Sequence, residues 1–234
     1  MLRYPATSPL FSAVVTNGRP SSDFAKSAIL SPLQLVGMSS LLTATSGSKE
    51  IVIGMIDGPV ASSHPDLQGA NLRTLSSAQA ACRVTDSLAC QHGTFIAGIL
   101  SAQRDSQAPA ICPGCPLLVR PIFCEVNAPG QYCPEVTPSD LASAITEVVQ
   151  AGAKLVNLSL GLTTSALQDH HDLTEAFNYA QSKGVLIVSA AGNQGRIGRV
   201  PLFDHPWIIP VAACDLRGQI VAGSNSGAAV GKRG

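Results

Sequence analysis

Three polar residues stand where apolar runs end, and together they could move protons and hold a developing negative charge. Asp57 closes the run Ile51-Val52-Ile53-Gly54-Met55-Ile56, His92 follows Cys90-Gln91 at the head of an apolar-periodic stretch, and Asn193 follows Val185 to Ser189 through Ala190-Ala191-Gly192. A carboxylate can orient an imidazole and support its charge, the imidazole can then serve as general base and acid, and a side-chain amide can donate to an oxyanion. Each residue also has a plainer reading. Asp57 can cap a turn, His92 can pack or cap at a helix start, and Asn193, between Gly192 and Gly195, suits a turn. Only convergence would make a site, so the elements that carry the three residues decide the matter.

The run from Ile51 to Ile56 is continuous, apolar and rich in β-branched residues, as a central parallel strand buried on both faces requires, and it delivers Asp57 at its carboxyl end. Ahead of it, Ser31 as cap, Pro32 at the first position and Leu35, Met38, Leu41 and Leu42 at helical spacing predict one helix of about three turns, stopped at Gly47. A second helix is expected to open at His92 with Ile96, Ile99 and Leu100 on its inner side, and Leu117 to Phe123 reads as a strand. Thr137 caps and Pro138 opens a helix whose Leu141, Ala144, Ile145 and Val148 share a face up to Gly152. There follow a strand from Lys154 to Leu160, a helix from Leu173 to Lys183 with Ala176, Phe177 and Ala180 inward, and strands at Val185 to Ser189 and Trp207 to Ala212. Repeated β-α-β units predict a parallel sheet with helices on both faces and ligands at the carboxyl ends of its strands. Asp57, His92 and Asn193 would then meet at one edge. Residues 1 to 30, rich in Ser, Pro and Ala and without periodicity, read as a partly mobile N-terminal extension ahead of a single domain over 31 to 234.

Composition narrows the function. Fifteen basic against fifteen acidic residues, with 13% charged in all, give no field to attract nucleic acid or an anionic membrane, while 45% hydrophobic residues can fill the core of one large domain. No apolar run reaches the roughly eighteen residues of a membrane span, and Leu10 to Val15, interrupted by Ser12, is too short for a signal-peptide core, so a cytoplasmic location is expected. Neither G-x-G-x-x-G nor a P-loop follows a predicted strand, which sets a nucleotide-binding domain aside.

The seven cysteines are an odd number. Cys112 and Cys115 form one C-x-x-C, compatible with half a zinc site, a redox pair or a tight loop. Cys82, Cys90, Cys124 and Cys133 lie in loop-like segments and could pair locally, Cys82 with Cys90 and Cys124 with Cys133. In a reducing cytosol they stay thiols, the reading favoured over disulfides, with metal last. Cys90 reads as a loop thiol rather than a nucleophile, His64 as a structural residue of its His-Pro-Asp-Leu loop, and His170 and His171 as exposed loop residues.

Four blocks in order carry a family resemblance: Ile53-Gly54-Met55-Ile56-Asp57-Gly58 with His64-Pro65-Asp66-Leu67, His92-Gly93-Thr94 with Ala97-Gly98, Asn157-Leu158-Ser159-Leu160-Gly161, and Ala190-Ala191-Gly192-Asn193-Gln194-Gly195. In that order and at those separations, across residues 31 to 234, the chain resembles the subtilisin-like serine peptidases. The resemblance implies an α/β fold of three layers, α/β/α, with a mostly parallel central sheet that is incomplete at its C-terminus. It implies that Asp57 orients His92, that His92 is general base and acid, and that Asn193 donates to the oxyanion. Ser159, Leu160 and Gly161 match the backbone strand that pairs with a peptide or protein substrate in extended conformation, and Ala191 and Gly192 would border the pocket before the scissile bond. No cofactor is implied. A structural calcium ion stays open on the resemblance, although no acidic loop has a spacing that calls for a metal.

Two phrases, Ile56-Asp57-Gly58-Pro59-Val60 and Pro121-Ile122-Phe123, resemble the peptidases of cyanobactin-type maturation more than secreted degradative subtilisins. Gly58-Pro59 stands where the commoner pattern has a hydroxyl residue and then Gly. The larger departure is that the 234 residues contain no Gly-Thr-Ser-x-Ala block, where the family keeps its nucleophile, and Ser226 in Gly223-Ser224-Asn225-Ser226-Gly227 fits the loop that precedes that block. The expectation is therefore a serine endopeptidase by lineage whose residues here lack the nucleophile and are inactive by themselves. The alternative is a pseudopeptidase that binds extended peptides without chemistry. In the family the nucleophile begins a helix, and without it the sheet and the helices near 92–103 and 138–152 would face an open trough.

Overall fold

The computed structural model describes residues 2–3, 32–75, 82–106, 110–125, 133, 135–162, 171–198 and 205–227. The extension over 1 to 30 lies outside the described residues except for Leu2–Arg3, which form a short strand, β1. At the centre is a six-stranded sheet ordered β3-β4-β2-β5-β7-β8, built from β2 (Ile53–Asp57), β3 (Leu72–Thr74), β4 (Leu117–Pro121), β5 (Leu155–Leu158), β7 (Leu186–Ala190) and β8 (Ile208–Val211). Every pairing in it is parallel, so all six carboxyl ends lie at one edge. A separate two-residue strand, β6 (Gly161–Leu162), pairs antiparallel with β1. Among the described residues no helix is long and apolar enough to cross a membrane.

Strand alternation sorts the core into two layers. Ile56, Val156, Leu158, Ile187 and Ile208 pack on one face against α4 (Pro138–Gln150) and α5 (His171–Ser182), and Ile53, Met55, Leu117 and Val119 on the other against α3 (Leu88–Ser101). The β2 residues are all buried, as a continuous apolar run predicts. In α4 the Thr137 hydroxyl accepts from the Asp140 amide while the Asp140 carboxylate accepts from the Thr137 amide, a reciprocal cap. Its Leu141, Ile145 and Val148 are fully buried, each worth about 1.5–3 kcal/mol of apolar transfer. Gly54 of β2 faces this helix: an added Cβ would lie 3.0 Å from the Val148 Cβ, so the glycine sets the depth to which α4 settles.

Several expectations are corrected. The single helix expected between Ser31 and Gly47 is two short ones, α1 (Pro32–Leu35) and α2 (Ser39–Ala44), because Gly37 adopts φ 68° and ends the first. Helix α3 starts a turn before His92, where the Ser87 hydroxyl accepts from the Cys90 amide and caps it. Its fully buried stripe is the small set Cys90, Gly93, Ala97 and Ser101, while Ile96 and Leu100 pack half-buried against the core of that face as expected and Ile99 is exposed. His171 is exposed as expected but opens α5 instead of sitting in a loop, and His170 lies outside the described residues.

The trough is present on one side only. On the α3 face of the sheet, Met55 and Leu117 are fully covered, whereas Leu186, Ile209 and Val211, on the β7 and β8 half of the same face, are 41%, 43% and 49% exposed. Helix α4 takes no part, since its apolar face is buried against the opposite side.

Candidate active site

The site begins with a parity argument. Asp57 is in phase with Ile53 and Met55, so its side chain emerges on the face that α3 covers. There it is fully buried, and its Oδ1 lies 2.7 Å from Nδ1 of His92, whose side chain keeps 15% of its exposure. The Gly58 amide donates to the same oxygen at 2.6 Å. Nδ1 thus faces an acceptor, which places the donor hydrogen there and makes Nε2 the basic nitrogen of the neutral ring. The neighbours of His92 explain how the helix reaches this position. A Cβ on Gly93 would lie 2.5 Å from the Gly58 carbonyl oxygen and 2.6 Å from that of Pro59, so only glycine lets α3 rest directly on the turn after β2. The Thr94 hydroxyl then accepts from the Ala61 amide at 2.9 Å, fixing the helix to the same turn.

Asn193 lies three residues beyond β7, at the edge where β2 ends, and is exposed. The loop that holds it is organised by a residue the sequence reading passed over. Asn225, 4% exposed, donates through Nδ2 to the Ala191 carbonyl at 2.9 Å and to Gln194 Oε1 at 2.6 Å, and its Oδ1 accepts from the amides of Gln194 at 3.2 Å and Arg196 at 3.0 Å. Its own amide donates to the Gly192 carbonyl at 2.8 Å. Gly192, at φ 99°, curves the loop around this amide, and a Cβ there would lie 2.6 Å from Asn225 Nδ2. In sequence Asn225 is one polar residue among glycines and serines, with no signal to single it out. Ser226 does not enter the Asp57–His92 pair; its amide donates to the Arg196 carbonyl.

Ser159 and Leu160 leave β5, the strand beside β2, and lead into Gly161 of β6. The Ser159 hydroxyl accepts from the Asn157 side chain at 2.7 Å. A carboxylate-held imidazole, a loop with an exposed amide and a short extended strand therefore share one sheet edge. Residues 48–233 match the peptidase S8 family described as the subtilase family. The chain belongs to the subtilase family. Among relatives, this subtilase is 33% identical over 189 residues to the thermophilic serine proteinase of Bacillus sp. strain AK1, covering 78% of the chain and 43% of that protein. It is also 37% identical over 126 residues to the C5a peptidase of Streptococcus pyogenes, over 50% of the chain and 10% of that protein. Among solved structures, the protease domain of PatA superposes with a TM-score of 0.69 at 33% identity, covering 78% of this chain and 64% of that one. The prenylagaramide maturation protease PagA gives 0.68 at 31%, covering 82% and 64%. The subtilase thus spans less than two thirds of the length of these relatives.

The wall beside His92 departs from the reading as thiols. Cys82 is joined to Cys90 and Cys124 to Cys133, with Cα separations of 5.5 and 5.9 Å, so Cys90 is neither a loop thiol nor a free one. Glu125, next to the second bridge, accepts from the amides of Arg83 and Val84 at 3.0 and 2.9 Å and from the Ser87 hydroxyl at 3.5 Å. This carboxylate and the Cys82 and Cys90 sulfurs lie close enough together to suggest a metal, but the sulfurs are spent in a disulfide and the carboxylate in holding the loop that caps α3. Cys112, Cys115 and Cys214 are free. Cys115 donates its amide to the Cys112 carbonyl in a tight turn, and burial, with Cys115 nearby, raises the Cys112 thiol to about 11. His64 is structural in that its Nδ1 accepts from the Asp66 amide at 3.2 Å.

Proposed function

We propose that this edge is the Asp-His and oxyanion part of a serine endopeptidase that acts on extended peptides through an acyl-enzyme. The Asp57–His92 hydrogen bond carries the reading, because a buried carboxylate on Nδ1 leaves Nε2 to take a proton from a nucleophile and return it to the leaving amine. Asn193 donates to the oxyanion, Ser159 to Gly161 pair with the substrate backbone, and Ala191 and Gly192 border the pocket. The nucleophile belongs to an apolar helix seated on the open face formed by Leu186, Ile209 and Val211, and the 234 residues by themselves do not hydrolyse peptides. The names of PatA relatives, such as a patellamide maturation protease, support peptide maturation over general degradation. No cofactor takes part in these steps. The two disulfides favour an oxidising compartment over the cytoplasmic expectation.

A fluorophosphonate probe tests the reading. Residues 1–234 should remain unlabelled, and a version extended to include a Gly-Thr-Ser-x-Ala block should label at that Ser. Replacing the Ser by Ala should abolish labelling while keeping the melt. In the extended version Asn193→Leu should lower kcat far more than it raises KM, since the donor meets charge formed only in the transition state. Labelling of a serine within residues 1–234 would refute the assignment, and an extended version that folds, binds peptides and never labels would establish the pseudopeptidase.

A further inference from the structure

We propose that Cys112 and Cys115 are a reversible dithiol, which closes to a third intramolecular disulfide by exchange with a small-molecule disulfide. Of the roles open to this C-x-x-C, half a zinc site has no partner half: among the described residues no third His, Cys, Asp or Glu atom joins the two sulfurs. The tight loop is present, and it has the geometry a redox pair needs. The Cys115 amide donates to the Cys112 carbonyl at 3.0 Å, so the four residues form one turn, with Pro113 at the second position, where a fixed φ is favoured. The outer Cα atoms of such a turn lie within about 7 Å, close to the span of a disulfide, and the two thiols are already hydrogen-bonded to each other. The turn is held from two sides. The Ile111 and Cys112 amides donate to the Ile99 and Leu100 carbonyls of α3 at 2.8 and 3.1 Å, and the Gly114 amide donates to the Ser46 carbonyl at 2.6 Å. The Ser48 amide donates to the Cys115 sulfur at 3.4 Å, and Gly47 passes so near that an added Cβ would lie 2.6 Å from that sulfur. Two thiols fixed in contact react with each other ahead of any reagent in solution.

Exposure assigns the order of events. Cys112 is half-buried and Cys115 is 4% exposed, so a disulfide arriving from solvent meets Cys112. The Cys112 thiolate attacks one sulfur of the reagent, forming a mixed disulfide and releasing one thiolate; the Cys115 sulfur, losing its proton, then attacks the Cys112 sulfur and releases the second. The protein dithiol loses two electrons and two protons, and the reagent becomes two thiols. Burial and the nearby Cys115 push the Cys112 thiol up to about 11, so its thiolate fraction, and with it the rate, rises about tenfold per pH unit below that value. The pair lies at the amino ends of β2 and β4, where the Ile53 amide donates to the Pro116 carbonyl, at the sheet edge opposite the Asp57–His92 bond. Closure therefore leaves that bond in place. With the third bridge formed, the seven cysteines leave exposed Cys214 as the single free thiol, in keeping with the oxidising compartment that the other two bridges favour.

The experiment treats the full chain, carrying Cys214→Ser to remove the exposed thiol, with oxidised glutathione under native conditions, and follows free thiols, intact mass and peptides mapped without reduction. Free thiols should fall from two to none, with the product two hydrogens lighter, no glutathione attached and Cys112 joined to Cys115; reduced glutathione should reopen the bond. The rate should rise about tenfold per pH unit between about pH 7 and 9. In the same background Cys115→Ser should stop at one glutathione on Cys112, and Cys112→Ser should gain none at Cys115. A chain that keeps both thiols at pH 9, or that takes a glutathione on each cysteine without closing, would overturn the proposal. So would a Cys112→Ser chain modified at Cys115 as fast as its counterpart is at Cys112.

Discussion

Gly93→Ala isolates the contact that brings the imidazole to the carboxylate. The new Cβ would sit 2.5 Å from the Gly58 oxygen and 2.6 Å from the Pro59 oxygen, and 2.8 Å from the Gly58 carbonyl carbon, all backbone atoms that cannot rotate away. Carbon–oxygen contacts of this kind settle near 3.3–3.6 Å, so α3 must lift by about 0.8 Å. A rise of that size stretches the 2.7 Å bond between Asp57 and His92 to about 3.5 Å, beyond hydrogen-bonding range. Overpacking costs about 1–3 kcal/mol, and losing a hydrogen bond to a charged group about 1.5–3 kcal/mol more, against under 1 kcal/mol gained from alanine's helix propensity. Gly98→Ala is the internal control, because nothing lies within 4 Å of a Cβ there and propensity alone should act. Urea unfolding and the low-field resonance of the His92 Nδ1 proton read the two effects separately. Gly93→Ala should lose several kcal/mol and the resonance, and Gly98→Ala should lose neither. A Gly93→Ala protein within about 0.5 kcal/mol of the parent that keeps the resonance would refute the argument that glycine seats His92.

Asn225→Ala should leave the Ala191 carbonyl and the Gln194 and Arg196 amides short of a buried partner, costing about 1–3 kcal/mol and speeding exchange at Gln194 and Arg196; unchanged exchange would show that Asn225 does not hold the loop. Asn225→Asp should fare little better, because it replaces the donor to Ala191 with an acceptor. Reduction of the two bridges should lower stability by about 2.5 kcal/mol each on loop-closure entropy for loops of this length, and an unchanged Tm after reduction confirmed by mass would contradict it. His205 is held below its usual pKa by burial, with Nδ1 accepting from the Trp207 amide and Nε2 facing Asn178 Oδ1. Its neutral form is favoured by folding, so its contribution is present above the unfolded value of about 6.5 and lost as pH falls through and below it; His205→Gln should flatten that acid slope in pH-dependent melts, and an identical slope would exclude the effect.

Which strands are central, and where the polar residues emerge, can be read from the apolar runs and caps of the chain alone. A continuous apolar run is satisfied by burial on both faces, so the run Ile51 to Ile56 names a central strand, which begins at Ile53 with Ile51 left 46% exposed, and puts Asp57 at its carboxyl end; Thr137 with Pro138 and the face of Leu141, Ala144, Ile145 and Val148 names α4 because caps and apolar periodicity act within a few residues. The nearness of His92 was legible only as a block resemblance, because it depends on how closely α3 can approach the turn after β2, and that is fixed by the absence of a Cβ at Gly93 against carbonyls 34 and 35 residues away. The start of α3 at Leu88 rather than at His92 is a local matter, set by the Ser87 hydroxyl accepting from the Cys90 amide. What tertiary structure alone decided are pairings without periodic signature: Asn225 under the loop of Asn193, Glu125 against the cap of α3, Cys82 with Cys90 rather than two thiols, and Leu2–Arg3 on Gly161–Leu162. Apart from the bridge, whose cysteines are only 8 residues apart, each joins single polar or backbone groups distant in the chain, where hydrogen-bond geometry, and not hydrophobic pattern, selects the partner.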